Sequence, residues 1–130
     1  MIIPSKYRNE LKGSCFLTKS QNLDKCLDIY SAHEWENLTQ KLSELPTSDA
    51  NRKQFMRHFY ACANECEIDR QGRIIIPQDL REYAGIEKDL ITVGVMEKIE
   101  VWDKNEWDNA ESSSLDVRKE IAKKMTEYGV

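Results

Sequence analysis

The chain has 130 residues, of which 40% are hydrophobic and 32% charged, a globular composition that suits one compact domain or two small halves sharing a core. Its formal net charge of −4 excludes a diffusely basic nucleic-acid binder, so any contact with DNA has to come from a local basic patch or from repetition of that patch in an assembly. No run approaches the roughly 20 apolar residues of a membrane span, and the start lacks the apolar stretch of a signal peptide, so a cytoplasmic location is the expectation.

Pro4 to Gly13 reads as the first short helix, with proline at its first position and glycine just past its end. Cys15–Thr18 and Cys26–Tyr30 follow as a strand pair around a polar loop. Ser31-x-x-Glu34 is a capping box, and the helix it opens carries Trp35, Leu38, Leu42 and Leu45 at spacings of three and four before Pro46 stops it. Trp35 is read as the aromatic that locks this helix onto the sheet. A further helix, Asn51–Cys62, has Phe55, Met56, Phe59 and Tyr60 on one face and Arg52, Lys53, Arg57 and His58 on the other. That basic face reads as solvated rather than as a DNA contact.

Glu67 to Pro77 then reads as a strand, a tight loop and a second strand, with Gly72 free to take the positive φ that a tight turn requires. The loop displays Arg70 and Arg73, which can fork onto phosphate oxygens or a guanine edge. Asp69 beside them is suited to accept hydrogen bonds from loop amides or to orient an arginine. Pro77 to Gly85 predicts a second short helix, and Leu90–Val95 with Ile99–Trp102 predicts a second strand pair about Met96, Glu97 and Lys98. Asp103-x-x-Glu106 caps the next helix, with Trp107 directly behind it. Ser112–Ser114 reads as a hinge or N-cap. The last helix, Leu115 to Tyr128, has an apolar set including Val117, Ile121 and Met125, suited to packing against the body or a neighbouring subunit.

These elements repeat. Ile2-Ile3-Pro4 falls 73 residues before Ile75-Ile76-Pro77, and Trp35 falls 72 before Trp107. The one-residue slip lies between the proline and the glycine, a segment one residue shorter in the second copy. No glycine-rich phosphate loop, nucleophile elbow or H-E-x-x-H occurs, so an enzyme is not expected. Cys15, Cys26, Cys62 and Cys66 form no paired C-x-x-C, and with only His33 and His58 beside them they read as reduced, buried thiols. No metal or cofactor is expected.

The string Asp69-x-x-Gly72-Arg73-Ile74-x-Ile76-Pro77, with Arg81 in the helix behind it, resembles the hairpin of the AbrB/MraZ superfamily. The Val93–Asp103 segment, the Trp107 cap and the Phe59–Asp69 linker resemble the MraZ family in particular. The resemblance covers the whole chain. It implies an α+β fold of two tandem swapped-hairpin β units with connecting and C-terminal helices. The divisions are then a first repeat over 1–46, a connecting helix over 47–64, a second repeat over 65–111 and a C-terminal helix over 112–130. It also implies a DNA-binding transcriptional regulator, usually a repressor, of the cell-division and cell-wall gene cluster. Such proteins bind repeated boxes in double-stranded promoter DNA as homo-oligomeric rings, associated with the nucleoid. The DNA contacts carried over are Asp69, Arg70 and Arg73. The family pattern opens with a strand and a first-copy D-x-K-G-R loop ahead of the Ile-Pro element. The first repeat is therefore read as lacking its first strand and loop, which leaves a second reading: a chain impaired in DNA binding that associates with full-length subunits.

Overall fold

A computed structural model describes residues 1–112 and 114–130. The order is α1 (Ser5–Leu11), β1 (Ser14–Lys19), β2 (Leu27–Ser31), α2 (Ala32–Ser43), α3 (Ala50–Cys62), β3 (Asn64–Glu67), α4 (Gln78–Ala84), β4 (Leu90–Val95), β5 (Lys98–Asp103), α5 (Lys104–Ala110) and α6 (Leu115–Glu127). Both short helices, α1 and α4, start where the chain leaves a proline, but Pro4 and Pro77 sit in the capping position with extended backbone rather than at the first helical residue. Their ends account for the slip in the repeat. Gly85 closes α4 in the left-handed conformation, whereas Lys12 takes that conformation after α1 and Gly13 follows it, also at positive φ.

The five strands form one antiparallel sheet in the order β3-β1-β2-β5-β4. Its centre is the junction of β2 and β5, where Asp28 pairs with Glu100. Those two residues occupy equivalent places in the repeat, so an internal pseudo-twofold axis passes through their pairing. One face of the sheet carries the main core, built from residues such as Cys15, Leu17, Leu27, Ile29, Ile99 and Val101, and closed by Leu11, Leu80 and Ala84 from α1 and α4. Strand alternation sends Phe16, Tyr30 and Trp102 to the other face.

The two copies exchange their edges. β3 belongs to the second copy, yet it pairs with β1 of the first, Cys66 opposite Cys15. The segment Met1–Ile3 in turn lies against Gly72–Ile74: the Ile3 amide donates to the Gly72 carbonyl at 2.6 Å and the Ile74 amide to the Met1 carbonyl at 2.9 Å. This is the swapped arrangement of two αβ units expected from the sequence, with one correction. The run after the loop is no strand of the sheet. It makes a single bridge, Ile2 to Arg73, and is otherwise extended chain that buries Ile74 and Ile76 and leaves Ile75 87% exposed.

Both caps form as the spacing predicts. Ser31 Oγ accepts from the Glu34 amide at 3.1 Å, and Asp103 Oδ2 accepts from Asn105 and Glu106 at 3.1 and 3.3 Å. Trp35 stacks on Phe16 with centroids 4.7 Å apart, and on Phe59 of α3 at 5.0 Å. Trp107 meets Trp102 edge-on at 5.7 Å. Ser114 caps α6 by accepting from Val117 at 3.3 Å, while the rest of the serine cap reading includes Ser113, which lies outside the described residues. α6 does not pack against the body, because none of its residues is buried. No helix among the described residues is long and apolar enough to cross a membrane.

Candidate nucleic-acid interface

The loop after β3 is organised by one carboxylate. Asp69 Oδ1 accepts from the Gln71 amide at 2.9 Å and from the Arg73 amide at 2.8 Å. Its Oδ2 accepts from Arg73 Nε at 2.9 Å. Backbone bonds close the same turn, from the Gly72 amide to the Asp69 carbonyl and from the Asp69 amide to the Arg73 carbonyl, both at 3.0 Å. The Arg73 amide, followed by its side chain and the Gln71 amide, holds the Asp69 carboxyl below its ordinary range. Asp69 is thereby committed to shaping the loop and orienting Arg73.

That leaves Arg70 and Arg73 as the exposed cationic side chains of the loop. Among the described residues the Arg73 side chain is bound through Nε alone and is 57% exposed, which leaves its two Nη groups without a protein partner. Arg70 sits one residue after Asp69, exposed, and makes no ion pair among the described residues. The structure therefore brings together all three residues expected at this site, with Asp69 in a supporting place.

A fourth residue joins them. Gly72 is buried at φ 78°, and a Cβ there would run into the guanidinium of Arg8. Arg8 Nε donates to the Ile3 carbonyl at 2.9 Å, which draws the side chain from α1 back across the loop. The tip thus carries three guanidinium groups, Arg8, Arg70 and Arg73. Nothing in the loop motif itself points to Arg8. The available signal was its equivalence to Arg81 in the repeat, but only the exchange of segments between copies places it over the second loop.

Elsewhere, a buried polar group sits on the pseudo-twofold axis. Cys26, Asp28 and Glu100 bring a thiol sulfur and two carboxylate oxygens within 4.8 Å of one another. Lys98 Nζ lies 3.2 Å from Asp28 Oδ2 and already supplies the positive charge there. Among the described residues, Asp28 Oδ1 is buried without a hydrogen-bond partner. Burial pushes the Asp28 carboxyl up to about 6 against the pull of Lys98. A dication would have to displace the lysine, which makes this a poor metal cage. Burial likewise pushes the Cys15 and Cys26 thiols up to about 12, in keeping with unreactive buried thiols, and all four cysteines are free.

Comparison with known proteins agrees with the repeat. The family model described as "MraZ protein, putative antitoxin-like" matches residues 1–58 and again residues 59–127. The chain is 48% identical over 130 residues to the transcriptional regulator MraZ of Acetivibrio thermocellus, spanning 100% of this chain and 90% of that one. It is 45% identical over 130 residues to the protein of that name from Clostridium tetani, with 100% and 89% covered. Against the one from Caldicellulosiruptor bescii it is 47% identical over 131 residues, with 100% and 90% covered.

Proposed function

The chain belongs to the MraZ family, and from that premise we propose that it is a DNA-binding transcriptional regulator whose contacts are made by the Asp69–Arg73 loop. The observation that supports this reading best is the rigid tip, in which Asp69 fixes Arg73 and Arg8 lies across Gly72, leaving three guanidinium groups exposed on an otherwise acidic chain. Guanidinium forks suit phosphate oxygens and the O6 and N7 edge of guanine in the major groove. In this reading the second repeat, 65–111, carries the contacts, and Arg8 of the first repeat adds one phosphate contact. The target is double-stranded promoter DNA with repeated boxes, in the cell-division and cell-wall cluster, where binding represses. Several copies, arranged as a ring in the cytoplasm and on the nucleoid, hold the boxes together. The relatives' name, transcriptional regulator, supports the class of function, and the family is one of regulators rather than enzymes.

The test is titration of promoter duplex from upstream of the chain's own gene with salt, parent beside Arg73→Ala. Affinity should fall with rising salt, and the variant should lose about 10-fold or more, with a salt slope shallower by about one contact. Salt-sensitive binding that Arg73→Ala leaves intact overturns the assignment to this loop. Absence of binding by the parent favours the second reading, a chain that joins full-length subunits and blunts their grip on DNA.

A further inference from the structure

We propose that α6 is an exchanged element, and that its apolar stripe seats on the outer face of β4, β5 and α5 in a second copy of this chain. The first half of the molecule supplies the template. There α3 lies over the sheet face that carries Phe16, with Phe59 stacked on Trp35 and Cys62 Sγ 3.1 Å from Thr18 Oγ1. The pseudo-twofold axis gives each of those seat residues a counterpart. Ile91 stands for Phe16, Val93 for Thr18 and Trp107 for Trp35, in the matching register of β1 on β2 and β4 on β5. Val93 is only half-buried where Thr18 is fully buried, and among the described residues no second helix lies beside α5 on this face as α3 lies beside α2.

α6 occupies in the second repeat the chain position that α3 occupies in the first. Ile121 and Met125, with Tyr128 at the C-cap, repeat the four-then-three spacing of Phe55, Phe59 and Cys62, and Val117 extends the stripe by another turn. They are 55%, 39%, 69% and 48% exposed respectively, an apolar stripe in water. The helix is tied where it starts, by the Ser114 cap and by Arg118 Nη2 donating to the Glu111 carbonyl at 2.9 Å. Thus anchored, it leaves its own seat open, and the occupant that fits the seat is α6 of another copy.

Charge favours the same pairing. Residues 97–111 around the seat hold six acidic and two basic side chains, whereas α6 holds four basic and three acidic. Arg118 and Lys124 flank the stripe on the helix, and Glu100 lies opposite Val93 in the seat. The contact is heterologous, since α6 and the seat are different surfaces, so repetition closes a ring or, if reciprocal, a dimer. This deepens the assembly named under the proposed function, and it is measured in the absence of DNA, so the two readings fail separately.

The experiment mixes light and heavy-isotope preparations of the full chain carrying a photoreactive benzoylphenylalanine at position 121. Light-to-heavy crosslinks into peptides containing Ile91–Val93 or Trp107 are expected. Sedimentation of Ile121→Asp should show loss of the parent's assembly with unchanged circular dichroism, because the side chain is exposed in the single chain. Arg73→Ala should assemble as the parent does. Crosslinks confined to one chain, crosslinks to another surface, or an Ile121→Asp variant that assembles like the parent would each overturn the proposal.

Discussion

Two aspartates show how burial decides what a carboxylate does. Asp69 is exposed, and its charge is kept by three hydrogen bonds from its own loop. Asp28 has no exposed surface and keeps one oxygen without a partner among the described residues, and burial outweighs the attraction of Lys98. The folded-state pKa of Asp28, about 6, lies above the ordinary value of 3.8. The native state therefore binds this proton more tightly than the unfolded chain, and its contribution to stability is complete below 3.8 and lost as the pH rises through 6. The difference is worth on the order of 3 kcal/mol for a fully buried group. Asp69, shifted the other way, acts only below the ordinary carboxylate range and does not mask the window. Urea unfolding between pH 4.5 and 7, a range of roughly the span of that shift, should show the parent losing stability with rising pH, and Asp28→Asn should flatten the slope. An unchanged slope in the variant would assign the pH dependence to other groups.

At the scale of elements, equivalent parts of the repeat carry unequal loads. The helix caps, the strand pairs and the tryptophan behind each cap were legible in the sequence, because capping side chains and glycine or proline punctuation act over three or four residues. The short α1 and α4 were legible for the same reason, though proline took the cap rather than the first turn. Ile74–Ile76 misled as a strand, since an apolar run does not say whether a partner strand is within reach. The Asp69–Arg73 site was legible as a motif, while Arg8 was not, because its place depends on a contact across more than sixty residues of chain. Trp35 is stacked between Phe16 and Phe59, whereas among the described residues Trp107 has one aromatic partner, Trp102. Trp35→Ala should cost about 3 kcal/mol in urea unfolding, the lower end for a large aromatic since the side chain is half-buried, and Trp107→Ala about 1 kcal/mol at dilutions where the chain is monomeric. Equal losses would mean that α3 adds nothing to the first half.

The whole molecule is a sheet with an internal axis and two unlike ends. At one end β3 covers the edge of β1 and α3 covers its face. At the other, among the described residues, β4 has a free edge and α5 against it, with no counterpart of α3. No local signal in the sequence distinguishes those ends, because the repeat is what the eye finds first and the asymmetry lies in which segments cross over. The asymmetry bears on function through arithmetic. One tip offers three guanidinium groups on a chain of net charge −4, enough for only a few phosphates, and such binding weakens steeply with salt. Tips repeated by a head-to-tail contact bind linked boxes at a high effective concentration, which multiplies affinity by about 10²–10⁴ without any new contact to DNA. The two variants should then divide by target. Ile121→Asp should weaken binding to duplexes carrying several boxes while leaving binding to a single box as in the parent. Arg73→Ala should weaken both. Mobility-shift titrations on one-box and multi-box duplexes at matched salt decide this. If Ile121→Asp holds the multi-box duplex as tightly as the parent, affinity resides in the single tip, and assembly through α6 contributes nothing to DNA binding.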